Sequence, residues 1–444
     1  MSVAPETQSP ARSKTARYVN QTLQNRMLLV VLAMVVLVPI LASPANYQAQ
    51  ELATHTTRIM AGLLAGVLVL RARVATRKEE VLAFLGTGAN SAVLLYFFIS
   101  VIGLFIAPPV AIRIALGEFF RILTGVLLYF ALAYHVTRSE HLTKILDALV
   151  MVAGLMSMLG LVDLSRNTQQ VFNATTFGDH QLFGAFLMIL FPVTILAALT
   201  EKELRRQVIA RVVAALTGIC LIMTGTRTAW VGAIVEIFAL GAFSLIPSKN
   251  RKREAVDARQ YVIPVLIVLA CMVVFVAMGG AGAIGNRFSL ESRNAAMAYR
   301  YRMWHGAEEL IKRRPLEGHG LGSYPVLQEQ YTGYGRPAEK VISTFPSLGE
   351  MAHNFWYQTA AEQGLIGVAA FAAILITFLT AGVRRLRFLE TGIRRHLLLA
   401  SMAGVVGFAV DAIANPAWQF VQVSLFLWLM LGLGVACIRP RHGR

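Results

Sequence analysis

The sequence predicts an all-α integral membrane protein of about twelve transmembrane helices, with a helical periplasmic subdomain between spans nine and ten. Three observations lead there. Of 444 residues, 56% are hydrophobic and only 15% charged, with a mean hydropathy of +0.60, whereas soluble domains carry roughly 25% charged residues. The apolar residues gather into uninterrupted stretches close to the roughly 20 residues that a helix needs to cross about 30 Å of hydrocarbon. Most of the 41 Lys and Arg, set against 24 Asp and Glu, fall in alternate connections between those stretches.

With the amino terminus in the cytoplasm, the spans fall at 27–43, 57–70, 88–107, 111–134, 143–162, 181–200, 207–224, 228–246, 260–280, 353–380, 396–414 and 418–437. The chain divides into a cytoplasmic segment 1–26, nine spans within 27–280, a periplasmic loop 281–352, three spans within 353–437 and a cytoplasmic tail 438–444. On this register the formal charge of +17 needs no nucleic acid. Arg71, Arg73, Arg77 and Lys78, like Lys249, Arg251, Lys252 and Arg253, follow the positive-inside rule and face anionic lipid. The first apolar run ends at Ala42-Ser43-Pro44-Ala45, which resembles a secretory cleavage site. A retained first anchor accounts better for the charge bias. Cys220, Cys271 and Cys437 lie inside apolar stretches, too few and scattered for disulfides or zinc, and read as packing residues.

The loop at 281–352 far exceeds the usual connection length, and long loops commonly carry function. Within it, Arg293 to Arg314 reads as an amphipathic helix. Ala296, Arg300, Met303, Trp304, Ala307, Leu310 and Ile311 form one stripe, and Pro315 and Gly318 stop it. Arg302 is rotated about 200° from Arg300, so it is expected in solvent, together with His305 and Glu309. Arg300 either points at the membrane domain or snorkels its stem along the stripe to headgroups.

Thr224-Gly225-Thr226-Arg227-Thr228-Ala229-Trp230 forms a tight outer connection whose arginine runs against the positive-inside preference. Two readings are open: an interfacial anchor beside tryptophan, or a guanidinium shaped to grip phosphate through paired hydrogen bonds. His353-Asn354 stands where the chain returns to the membrane, followed by Glu362, Gly364 and Gly367. The histidine is either a structural hydrogen-bonding residue or a base near neutral pH, and the glycines mainly signal close packing. Glu362 lies about 13 Å deeper and on the opposite helical face, so its expected partner is Arg121, with Glu118 and Glu236 at similar depth. Charges there are costly unless paired, and the four are expected to form a buried polar network. Gly318 to Gly322 reads as a helix stop and reversal or as a backbone phosphate nest with His319 and Gly320. Arg336 and Lys340 read as a solvated face or as contacts to an anionic acceptor.

In order and spacing these motifs resemble the O-antigen ligase and O-antigen polymerase superfamily of bacterial inner-membrane glycan transferases. Arg300-Tyr301-Arg302-Met303-Trp304 is similar to the family's arginine four residues before a tryptophan. Arg314-Pro315-Leu316-Glu317-Gly318-His319-Gly320-Leu321-Gly322 is similar to its proline- and glycine-rich turn. His353-Asn354 with Glu362, Gly364 and Gly367 resembles its return motif, and Thr226-Arg227-Thr228-Ala229 its Ser-Arg-Gly-Ala turn, with two threonines in place of serine and glycine. The resemblance implies an O-antigen ligase that moves a glycan from undecaprenyl diphosphate to lipid A-core oligosaccharide in lipopolysaccharide biosynthesis. It further implies Arg227 and Arg300 on the diphosphate, His353 as catalytic base, supporting roles for Asn354, His319, Gly320, Trp304 and Arg336, inversion at the anomeric carbon, and neither metal nor cofactor. The sequence has no Asp-x-Asp pair.

Ligation, polymerisation of repeat units and transfer to protein hydroxyls are hard to separate by motif. Protein-directed relatives commonly carry an added carboxy-terminal segment, which favours the first two here. A lipid-linked glycan transporter is the alternative from another class. It is expected to place its chemistry at the bilayer midplane and to show inverted repeats, and no repeat is visible in this sequence.

Overall fold

The computed structural model describes residues 10–41, 47–74, 88–136, 138–166, 177–248, 290–333 and 350–439, and every regular element among them is helical. In chain order these are α1 (Pro10–Leu41), α2 (Tyr47–Val74), α3 (Gly88–Ile106), α4 (Ile112–His135), α5 (Ser139–Arg166), α6 (His180–Thr200), α7 (Leu204–Met223) and α8 (Arg227–Ser244). The long loop contributes α9 (Leu290–Arg313) and the short α10 (Tyr324–Leu327) and α11 (Glu329–Thr332). After it come α12 (Phe355–Leu386), α13 (Ile393–Asp411) and α14 (Val421–Ile438).

Among the described residues, 10 helices are long and apolar enough to cross a membrane, and the chain is an all-α integral membrane protein. The second expected span, 57–70, falls on α2, whose apolar stretch His55–Val69 coincides with it and is shorter than the others. The ninth expected span, 260–280, lies outside the described residues, as do Cys271, Arg336 and Lys340.

Helices α6 and α14 form the centre, with 94% and 89% of their spanning windows buried, while α8 at 28% faces outward. A helix apolar all round has no stripe to show which side is inside, and burial here follows from neighbours. Helix α14 runs along α4 and α13, α13 packs on α8 and α6, and α12 lies along α3. Small residues allow these approaches: Gly125 sits under Trp428, and Gly432 lies over the Tyr129 backbone. Cys220 and Cys437 are buried inside this packing, and the Cys220 thiol donates to Ser157 O at 3.1 Å.

Several helix ends meet at one end of the bundle. Phe355 N–H donates to Ala412 O at 2.9 Å, Thr226 Oγ1 to His180 O at 2.9 Å, and Arg121 Nη1 to Trp418 O at 3.2 Å. Beneath this end Phe355, Phe371, Phe408 and Trp418 pack ring on ring, with Phe408 and Trp418 centroids 4.6 Å apart. A rigid aromatic floor thus supports the loops above it.

Candidate functional site

Arg227 begins α8, and the turn before it is fixed on both sides. Thr226 uses its hydroxyl on the His180 carbonyl instead of capping α8, and Trp230 Nε1 donates to Leu221 O at 3.0 Å. Thr224 and Thr226 are buried against Gly184 of α6. The threonines pack the turn, leaving the arginine at its tip.

Helix α9 presents Met303, Ala307 and Leu310 to the interior, with Arg302 and His305 exposed on the other side. Arg300 lies on the inward side. Burial lowers its pKa, the nearby Arg227 guanidinium lowers it further, and Asp411 opposes the shift. Two guanidinium groups that repel one another therefore share a partly buried space with one carboxylate. Trp304 stacks edge-on with Tyr301 and Tyr357. The side chain of Ala296 lies outside the described residues.

His353 is buried, and its ring packs edge-on against Tyr299, the residue before Arg300, with centroids 5.4 Å apart. Its φ of 51° is the one positive value among the described non-glycine residues, a conformation seen mostly at Asn, Asp and His and often at functional sites. Asn354 caps α12, its Oδ1 accepting from the Trp356 and Tyr357 amides at 2.9 and 3.1 Å. The Phe355 bond to Ala412 holds this segment beside the end of α13.

Asp411, which ends α13, escaped the sequence reading. It is fully buried and accepts from Asn415 Nδ2 at 3.0 and 3.2 Å, from Trp418 Nε1 at 2.8 Å and from the Thr228 hydroxyl. It ties the Arg227 turn, the α13–α14 connection and Arg300 together. A signal existed: a lone acid inside an expected span violates the same rule that singled out Glu118, Arg121, Glu236 and Glu362.

Those four do not form one network. Glu118 accepts from Arg121 Nε at 2.9 Å, and Glu362, facing that pair, accepts from Gly322 N–H at 3.0 Å and Gln358 Nε2 at 3.1 Å. Glu236 stands apart, buried against Gly407 of α13 and near Asp411. Its membership is corrected because α8 lies across α13 from α4 and α12.

The glycine-rich turn is a docked strap. His319 and Gly320 N–H donate to Ala361 and Glu362 carbonyls, and Leu321 N–H to Gly103 O. With Gly322 on Glu362, these donors are committed within the protein, and the phosphate-nest reading is corrected on that ground. His319 Nε2 lies 2.9 Å from Leu310 O, a contact that ties the turn back to the end of α9. At Gly364 the helix breaks (φ 67°), and a Cβ there would overlap the Leu316 carbonyl. Gly364 is therefore a crossing point of two backbones as well as a packing residue.

Fold and site together define a multi-pass membrane protein that gathers two arginines, an acid and a histidine at one end of its helical bundle. Residues 212–372, less than half of the chain, match the protein-family model described as O-Antigen ligase, a match that supports a place in the O-antigen ligase and polymerase superfamily. Members of this family are glycosyltransferase-like ligases and polymerases. The matched stretch contains Arg227, Arg300, His353 and Glu362 and ends before Asp411. A search of curated proteins returned no match.

Proposed function

We propose that the protein is an O-antigen ligase of the bacterial inner membrane, working at the periplasmic face. The observation that carries this reading is the pairing of Arg300 with Arg227 beside Asp411, while the His353 ring lies against Tyr299. Like charges held together away from water are unfavourable unless an anion bridges them. A diphosphate supplies that bridge, with oxygens for both guanidinium groups.

The donor is a glycan on undecaprenyl diphosphate, its prenyl chain among the lipid-facing helices, and the acceptor is a hydroxyl of lipid A-core oligosaccharide. The acceptor oxygen attacks the anomeric carbon from the face opposite the diphosphate. Its proton passes to His353, and the carbon–oxygen bond to the diphosphate breaks. The leaving diphosphate takes the electron pair, and Arg227 and Arg300 neutralise its growing charge, the largest catalytic contribution of such preorganised groups. Configuration inverts in this single displacement.

Polymerase activity is the nearest competing reading within the family. A deletion strain complemented with wild type, His353→Ala, Arg300→Ala or Arg302→Ala separates them. The ligase reading expects the first two variants to accumulate unligated lipid-linked glycan and Arg302→Ala to restore polymer-bearing lipopolysaccharide. Single repeat units joined to core would identify a polymerase. Chelators are expected to leave transfer intact, and a loss restored only by a divalent ion would contradict the mechanism.

A further inference from the structure

A second polar cleft opens at the same end of the bundle, between α2, α4 and the start of α14. Its cavity volume is about 80 Å³, and it opens to solvent. Arg58, Glu118, Arg121, Gln419, Gln422 and Met351 are among its walls. Arg121 is neutralised by Glu118, whereas Arg58 lies over the Phe120 ring at 5.3 Å and its Nε makes no hydrogen bond with any described residue. Gln422 is only 5% exposed, and its Oε1 accepts from no described residue. A buried amide oxygen left in that condition is unfavourable and rare. Phe120 in its wall is an exposed apolar side chain, as are Leu116 and Ile59, next in sequence to the lining residues Gly117 and Arg58, and such side chains suit lipid tails.

Trp418 divides this cleft from the two-arginine site. Its carbonyl accepts from Arg121, while its indole N–H donates to Asp411, which faces Arg300. Met351 lines the cleft two residues before His353. The two sites thus flank one tryptophan, with the histidine segment at their junction.

We infer that this cleft binds the sugar-phosphate headgroup of the acceptor glycolipid. The assignment rests on the ligase reading for the acceptor's identity. Charge separates the two lipids: a diphosphate needs two cations, found at Arg227 and Arg300, whereas the cleft offers one arginine, Arg58, with no ion pair among the described residues, set among hydrogen-bonding side chains. One phosphate on a hydroxyl-rich sugar fits that set. A hydroxyl donates to Gln422 Oε1, and Arg58 donates to the phosphate.

The test uses the full-length protein in lipid nanodiscs, with lipid A-core and undecaprenyl diphosphate as separate binding probes. Arg58→Gln and Gln422→Leu are each expected to weaken lipid A-core binding about tenfold or more and to leave undecaprenyl diphosphate binding unchanged. Arg58→Lys is expected to recover part of the loss, which a general folding defect would not allow. Weakened undecaprenyl diphosphate binding with lipid A-core unaffected would overturn the assignment, as would no change for either probe. Wild-type protein that binds both lipids with this selectivity yet transfers no glycan would contradict the ligase reading and support the cleft assignment.

Discussion

His353 keeps a left-handed backbone that costs a non-glycine residue roughly 1–2 kcal/mol, in a segment held by the Asn354 cap and the Phe355–Ala412 bond. His353→Asn is expected to fold, since Asn tolerates this conformation, and to lower turnover about 10²–10⁴-fold, the usual contribution of a general base. Steady-state rates with matched thermal melts check this. Arg300 gives a prediction of a different sign. Its pKa is depressed by burial and by Arg227, so the charged form destabilises the fold throughout the pH range below that pKa. Arg300→Gln is therefore expected to melt at the same temperature as wild type or higher while losing transfer, and a clearly lower melting temperature would contradict the repulsion argument. Both arginines and the histidine were legible because each broke a sequence expectation: Arg227 the charge rule, Arg300 the apolar stripe and His353 the hydrophobic return. Asp411 was hidden inside a span whose apolar average concealed it.

At the scale of elements, the inward stripe of α9 was legible from periodicity, and Arg302 and His305 lie exposed on the other side as that period requires. The strap from Gly318 to Gly322 was legible only as a stop. Its amides point into the seams of α3 and α12, a choice of partner that depends on residues far away in sequence. Helix α12 was expected to be continuous, and its break follows from the strap crossing at Gly364, where two backbones leave no room for Cβ. Gly364→Ala combines that overlap with a positive φ, and is expected to abolish recovery of monodisperse protein in size-exclusion chromatography. Gly241→Ala, where a Cβ meets nothing within 4 Å, is expected to behave as wild type.

For the whole molecule, helix class and most span positions followed from run length, because hydrocarbon sets the length of an apolar helix. Which helices become central did not: α6 and α14 differ from α8 in neighbours more than in apolar character. The proposed sidedness rests on the positive-inside distribution and is testable in intact cells. Arg302→Cys is expected to react with a membrane-impermeant thiol reagent added outside, and Lys202→Cys only after the membrane is opened. The reverse pattern would invert the topology. The most direct measurement of the central claim is glycan transfer by purified protein in liposomes, supplied with glycan-linked undecaprenyl diphosphate and lipid A-core in chelator. The account expects lipopolysaccharide with inverted anomeric configuration, formed by wild type and lost in His353→Ala and Arg227→Ala. Retained configuration, or undiminished transfer by His353→Ala, would contradict it.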